Sequence, residues 1–115
     1  MSRAFDADEL LERLDNDWEF LAETVEMLAA DGPARLAAIR RALADGDATA
    51  VGLTAHALKG MVSNFCAPAA QAAAQEVERI GKAGDLSAAP PAVDALAAGL
   101  DALIADLNAF VATKS

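Results

Sequence analysis

The chain contains a single histidine, His56, within a stretch of apolar, helix-forming residues at positions 53–67. At about 3.6 residues per turn, the apolar side chains of this stretch fall on one stripe, whereas His56, Lys59 and Ser63 fall on the other side. The spacing therefore predicts an outward-facing imidazole with an ammonium group one helical turn away. An imidazole in this position can act as a nucleophile near neutral pH.

Two glycines, Gly52 and Gly60, share this side of the predicted helix. A glycine inside a helix costs about 1 kcal/mol relative to alanine. Because the chain is otherwise rich in alanine, the two glycines predict that another group approaches this backbone closely.

A partner for the imidazole can be located by counting from the next turn. If that turn is centred near residues 66–67, position 56 lies opposite positions 76–78, so Glu78 or Gln75 of the following helix should lie within one turn of the imidazole. A carboxylate that accepts a hydrogen bond from Nδ1–H would fix the tautomer and leave Nε2 as the nucleophile. We expect Glu78 in this role; the alternative is that Glu78 and Lys82 form an ordinary solvated pair on one helix.

The sequence His56-Ala57-Leu58-Lys59-Gly60 resembles the His-x-Leu-Lys-Gly signature of histidine-containing phosphotransfer (HPt) domains. Ala55, Asn64-Phe65 and Ala67 agree with the family pattern on either side of this signature. The family usually has glycine where this chain has Cys66, a position near the helix end where glycine helps the chain turn. The specific identity covers about fifteen residues, whereas the layout of helices resembles the family over nearly the whole chain.

The resemblance implies a phosphocarrier in which His56 takes a phosphoryl group from a receiver aspartate and passes it to a second receiver. Lys59 would offset the charge of the transferring group, although it could also serve only for solubility. The expected receiver-docking surface contains Gly52, Leu53, Ala57, Gly60, Ser63 and Gln75.

The same resemblance implies response-regulator receiver domains and a hybrid sensor kinase as partners. We expect no cofactor in this chain, because Mg²⁺ would come with the receiver. The sequence has no Gly-rich phosphate loop, so we expect no ATP-dependent kinase activity. Two alternatives remain open: a helical adaptor that docks receivers or kinases without being phosphorylated, and a phosphotransfer domain detached from a larger kinase.

Composition restricts the other functions that the chain can have. Its 115 residues predict one domain, 1–115, and the abundance of alanine and leucine favours helices. A net charge of −9 and an isoelectric point near 4.3 argue against binding to nucleic acid or an anionic membrane. One histidine and one cysteine cannot supply a metal ligand set. We expect a cytoplasmic monomer, no transmembrane segment, because charged residues interrupt the apolar runs, and a buried Cys66.

The helices that position His56 can be outlined from apolar spacing and turn residues. We expect a short leading helix over residues 6–14, then a helix from Trp18 that Gly32-Pro33 kinks or briefly breaks. The histidine helix spans 47–65, the next begins at Pro68, and Ser87 caps the last. Short connections between long amphipathic helices predict an all-α, up-down-up-down antiparallel four-helix bundle preceded by a short helix.

Overall fold

The computed structural model describes residues 3–114, which form helices and no strand. The sequence prediction of an all-helical protein is therefore confirmed. Five α-helices follow one another, with a short 3₁₀ turn at Leu86–Ala88 before the last: α1 Ala7–Arg13, α2 Trp18–Ala44, α3 Ala48–Ser63, α4 Pro68–Ala83 and α5 Ala89–Ala112.

Aspartates set the start of the first three helices. The carboxylates of Asp6, Asp17 and Asp47 each accept a hydrogen bond of 3.0 Å from the backbone N–H three residues later. Each carboxylate satisfies one of the N–H groups that a helix N-terminus leaves without a partner. α4 instead starts with Pro68, whose missing N–H is no loss in the first turn.

α2 runs without a break through Pro33, so of the kink or brief break expected at Gly32-Pro33, the break does not occur. Proline removes one hydrogen bond from the interior of a helix. α2 nevertheless buries apolar residues on both sides of this point, including Leu28 and Ile39, and Gly32 itself is buried. Because tertiary packing supplies most of a helix's stability, the contacts on both sides hold the helix together across the proline.

The start of α5 also differs from the sequence prediction, because Ser87 does not cap it. Ser87 lies in the 3₁₀ turn, where its backbone N–H donates to the Asp85 carboxylate at 3.0 Å. α5 then begins at Ala89, with no side-chain cap, and Pro90 and Pro91 occupy its first turn as expected.

The core lies between the four long helices. α2 packs against α3, α3 against α4, α4 against α5, and α5 against α2. α5 supplies the most regular apolar stripe, and all members of this stripe are buried: Val93, Leu96, Leu100, Leu103, Leu107 and Phe110. At one end of the core, the ring of Phe110 packs against Phe5 and Trp18.

The segment Leu86–Ala112 is long and apolar enough, by length and composition, to cross a membrane. Asp94, Asp101 and Asp106 interrupt the segment, as expected, but they do not prevent it from meeting this criterion. A helix in the core of a soluble protein meets the same criterion, and α5 directs its leucine stripe into the core described above. Packing within the chain thus accounts for the buried stripe, while 28% of the most apolar stretch of the segment is buried in all.

Cys66 forms the turn between α3 and α4 and is buried, as predicted. Its φ of 55° lies in the left-handed region that favours glycine, which is the residue that the HPt family usually has at this position. Its carbonyl accepts a hydrogen bond of 2.9 Å from the backbone N–H of Asp6. Burial raises the pKa of the Cys66 thiol, which disfavours the reactive thiolate.

Candidate functional site

His56 and Glu78 meet across the interface between α3 and α4. The side chain of His56 is 65% exposed, and its Nδ1 lies 2.7 Å from Oε2 of Glu78. The outward direction of the imidazole and its contact with Glu78 both agree with the sequence prediction. The count from the α3–α4 turn succeeded because both helices continue without interruption from that turn.

Among residues 3–114, Glu78 is the one charged residue that is buried, and its side chain is only 5% exposed. Nζ of Lys59 donates to its Oε1 at 2.7 Å, and Nζ of Lys82 lies 3.0 Å from its Oε2. Hydrogen bonds from Lys59 and then Lys82 hold the pKa of the Glu78 carboxyl at about 2, although burial acts in the opposite direction. Glu78 is therefore ionised at neutral pH. The simple solvated pair with Lys82 does not describe it, because the carboxylate is buried and also contacts Lys59 and His56.

The ionised carboxylate determines which imidazole nitrogen carries the proton. A carboxylate without a proton can only accept hydrogen bonds, so Nδ1 of His56 must be the donor at 2.7 Å. In a neutral imidazole with its proton on Nδ1, Nε2 keeps its lone pair. The geometry thus prepares Nε2 for attack on an electrophile outside the bundle.

Gly52 and Gly60 lie in different surroundings, although the sequence placed them on one side of the helix. Gly60 is exposed, and a Cβ built on it would meet nothing within 4 Å. Gly52 is buried and packs against the backbone of α4 near Gly81. The sequence predicted a close approach at Gly52 and placed this residue in the receiver-docking surface. In the structure the group that approaches Gly52 is the backbone of α4, which buries it. Gly81 itself was missed, and its position one turn after Glu78 was the available signal.

The other residues predicted for docking are distributed around the imidazole. Leu53 is 68% exposed, Gln75 is exposed on α4, and Ala57 is half-buried. Ser63 is also half-buried, and its hydroxyl donates to the carbonyl of Gly60 at 2.8 Å. A cleft of about 400 Å³ between α3 and α4 is lined by eight residues: Ala48, Thr49, Gly52, Leu53, His56, Glu78, Gly81 and Lys82.

A second concavity, between α1, α2 and α3, was missed by sequence reasoning. This groove has a volume of about 530 Å³, and its lining includes Phe20 and Met27, whose exposed fractions are 47% and 62%. Asn64 also lines it, and the positions 56, 60 and 64 form one row along α3. The row connects the imidazole to the groove over about 12 Å. The available signal was the pair Phe20 and Met27, apolar residues that fall outside the core spacing of α2.

Residues 3–114 contain no group of three or more His, Cys, Asp or Glu side chains arranged to hold a metal ion. Within the same range, every buried side-chain nitrogen and oxygen has a hydrogen-bond partner. The buried carboxylate of Glu78 is therefore fully accounted for by His56 and the two lysines.

Comparisons with known proteins found one family model and one similar solved structure. A family model described as the Hpt domain matches residues 23–106. The crystal structure of histidine-containing phosphotransfer protein B (HptB) from Pseudomonas aeruginosa PAO1 is similar in fold, with a TM-score of 0.89. The two sequences are 22% identical, and the match covers 98% of each chain. Among curated proteins, no match to the chain was found.

Proposed function

The chain belongs to the Hpt domain family, and we propose that His56 is the residue that carries its phosphoryl group. Membership of this family makes the chain a histidine phosphotransfer protein of phosphorelays, a phosphocarrier that interacts with receiver domains and kinases. The observation that carries the assignment of His56 is its exposed imidazole, held through Nδ1 by an ionised, buried Glu78.

In the proposed transfer, the lone pair on Nε2 of His56 attacks the phosphorus of a receiver's aspartyl phosphate. The N–P bond forms as the P–O bond to the aspartate breaks, and the bonding electron pair leaves with the aspartate carboxylate. The proton on Nδ1 stays on the ring, where Glu78 stabilises the positive charge that develops. The reverse sequence delivers the phosphoryl group to the aspartate of a second receiver.

The charges around the imidazole support this step. Glu78 contributes one negative charge, while Lys59 and Lys82 contribute two positive charges, so the cluster is locally positive in a chain of net charge −9. A phosphoryl group brings additional negative charge, which the two ammonium groups offset. Lys59 thus has two roles in the proposal: it orients Glu78 and it balances the phosphoryl charge.

The proposed receiver-docking surface begins at the imidazole and extends along α3. Leu53 and Gly60 flank His56, and the row through positions 60 and 64 leads into the groove that contains Phe20 and Met27. Exposed apolar side chains beside an exposed nucleophile favour a protein partner that covers both. Gly60 allows that partner to approach the backbone, because it adds no side chain to the surface.

We extend the proposal to the arrangement of the helices, which we take as an up-down-up-down antiparallel four-helix bundle preceded by α1, within one domain, 1–115. The packing of α2 to α5 in a closed ring and their short connections support it. Two contacts between α2 and α5 support the antiparallel arrangement: Gly32 lies next to Leu100, and Arg40, further along α2, pairs with Asp94, which lies earlier in α5.

The Mg²⁺ ion and the phosphoryl group come from the partner proteins in this proposal. Transfer by positioning and electrostatics requires no cofactor here, so Mg²⁺ belongs to the receiver and the chain does not phosphorylate itself from ATP. The acidic composition supports a cytoplasmic protein that binds neither nucleic acid nor membrane. The site is built from one copy, so a monomer is sufficient.

Phosphotransfer from a labelled receiver domain tests the assignment of His56. We expect a receiver carrying a ³²P-labelled aspartyl phosphate to label the wild-type chain with the acid-labile bond of phosphohistidine, whereas His56→Gln should keep its helical circular dichroism and take no label. ATP alone should label neither protein. Equal labelling of both proteins would overturn the assignment, and receiver binding without any label would favour the adaptor.

A further inference from the structure

The backbones of α3 and α4 are in direct contact at Gly52 and Gly81. A Cβ placed on Gly81 would lie 2.6 Å from Cα of Gly52 and 2.9 Å from the carbonyl oxygen of Ala48. Both of these atoms belong to the backbone, so no side chain can rotate away to make room. The hydrogen atoms of two glycines therefore set the closest approach of the two helices.

The other glycines that face a neighbouring helix have more room. A Cβ on Gly99 of α5 would lie 3.8 Å from Cα of Ala70, which is an ordinary van der Waals contact. A Cβ on Gly32 would meet the Leu100 side chain at 3.2 Å, and that side chain can shift. Gly81 thus faces a rigid obstacle where these two glycines do not.

This contact lies within one helical turn of both ends of the His56–Glu78 hydrogen bond. Gly81 follows Glu78 by three residues on α4, and Gly52 precedes His56 by four residues on α3. The Nδ1–Oε2 distance is 2.7 Å, whereas hydrogen bonds of this kind weaken beyond about 3.2 Å. A methyl group on Gly81 would have to open the contact by roughly 1 Å to reach ordinary van der Waals distance, because the backbone nitrogen of Gly52 is nearer still than its Cα. When the two helices separate as rigid bodies along the Nδ1–Oε2 direction, an opening of that size carries Oε2 of Glu78 beyond hydrogen-bonding distance.

We propose that Gly81 is a positioning residue for the phosphorylation site. Its contact with Gly52 holds α3 and α4 close enough for Glu78 to reach Nδ1 of His56 and fix the imidazole tautomer. Gly81 touches neither the imidazole nor the phosphoryl group, and it acts through Glu78. The kinetic part of this inference rests on the proposed function of His56, whereas the effect on the tautomer does not.

The test compares Gly81→Ala with Gly99→Ala, which adds the same methyl group at a glycine on another helix interface. ¹⁵N NMR of the imidazole in the free protein reports the tautomer, and transfer from a saturating receiver reports the rate. We expect Gly81→Ala to convert the Nδ1–H form into a mixture of tautomers. Its transfer rate should fall roughly 10- to 100-fold, because a displacement near 1 Å has an effect of that order. The KM for the receiver should change little, and Gly99→Ala should match the wild type in tautomer and rate.

A purely structural role for Gly81 predicts a different result. In that case Gly81→Ala would lower the melting temperature, yet the folded protein would keep the wild-type tautomer and rate, which would overturn the proposal. If Gly81→Ala does not fold, Gly52→Val pushes the same two helices apart from α3, because a Cβ at position 52 would already be in contact with the backbone nitrogen of Lys82 at 3.4 Å and valine adds two methyl groups beyond it. A folded Gly52→Val protein with the wild-type tautomer would also overturn it. Absence of phosphotransfer in the wild type would refute the proposed function and leave the NMR test of Gly81 intact.

Discussion

The α2–α5 pair and the α3–α4 pair join helices by different means. Between α2 and α5, large apolar side chains fill the space, as Leu100 does against Gly32. Between α3 and α4, the backbones meet at glycines, and a buried carboxylate binds two lysines and the imidazole. The first interface buries apolar area, which stabilises the fold. The second also fixes the position of Glu78 beside His56.

This difference predicts that substitutions in the two interfaces have different consequences. A change in the α2–α5 interface should alter the free energy of unfolding and leave the transfer rate of the folded protein unchanged. A change in the α3–α4 interface should alter the transfer rate more than the stability. The four experiments that follow test this separation.

Leu100→Ala should have the largest effect on stability. Leu100 is fully buried at the centre of the α5 stripe, and removal of such a side chain destabilises a protein by about 2–5 kcal/mol. Urea unfolding measures this loss, and phosphotransfer at a temperature well below the transition should stay near the wild-type rate. A folded Leu100→Ala protein with a strongly reduced rate would show that the two interfaces are not separable.

Glu78→Gln should have the largest effect on transfer after loss of the histidine. The amide cannot hold Lys59 and Lys82 as the carboxylate does, and it no longer stabilises positive charge on the imidazole. The rate should fall roughly 10- to 100-fold, the usual range for a residue that supports a reactive group. Glu76→Gln is the matched control, because Glu76 is exposed on the same helix and pairs with Arg79. Equal rates for the two variants would mean that Glu78 does not support His56.

The features of the site that the sequence predicted correctly follow from the local geometry of helices. Outward projection of His56 follows from the apolar period of α3, and its contact with Glu78 follows from two uninterrupted helices joined by a short turn. The start of α2 at Trp18 was also predicted, and the Asp17 carboxylate caps the helix there.

The parts that were wrong or missed depend on contacts distant in sequence. Pro33 stays inside α2 because buried residues on both sides hold the helix, and spacing alone does not report that packing. The close contact at Gly81 can be recognised only when Gly52 is known to face it. The burial of Glu78 likewise depends on Lys59 reaching across from α3, which two separate helical patterns do not reveal.

Acid should weaken the α3–α4 interface selectively. The pKa of Glu78 is about 2 in the folded protein, against 4.5 for an unperturbed glutamate side chain. Because the folded pKa is depressed, the stabilisation from Glu78 is present above about pH 4.5 and is lost as the pH falls toward 2. Urea unfolding should therefore show the stability gap between the wild type and Glu78→Gln narrowing from pH 5 to pH 2. The difference in the free energy of unfolding between the wild type and Ile39→Val, which changes no titratable group, should stay constant over the same pH range. A constant difference for Glu78→Gln would contradict the ion-pair assignment.

Substitutions of Gly60 should have the smallest effect on transfer, and they distinguish an effect on receiver docking from an effect on folding. A Cβ on Gly60 meets nothing within 4 Å, so neither Gly60→Ala nor Gly60→Gln can overpack the core. Replacing a helix-interior glycine with alanine adds about 1 kcal/mol of stability, which corresponds to a rise in melting temperature of roughly 4 °C. If Gly60 leaves room for the receiver, Gly60→Ala should slow transfer only a few-fold, whereas Gly60→Gln should raise the KM further because its longer side chain stands between the partners. Melting temperature and transfer kinetics measured on the same two variants test both expectations.

A Gly60→Gln protein that is as stable as Gly60→Ala and transfers at the wild-type rate would show that the receiver does not approach this backbone. The docking surface would then have to lie on the opposite side of His56, toward α4.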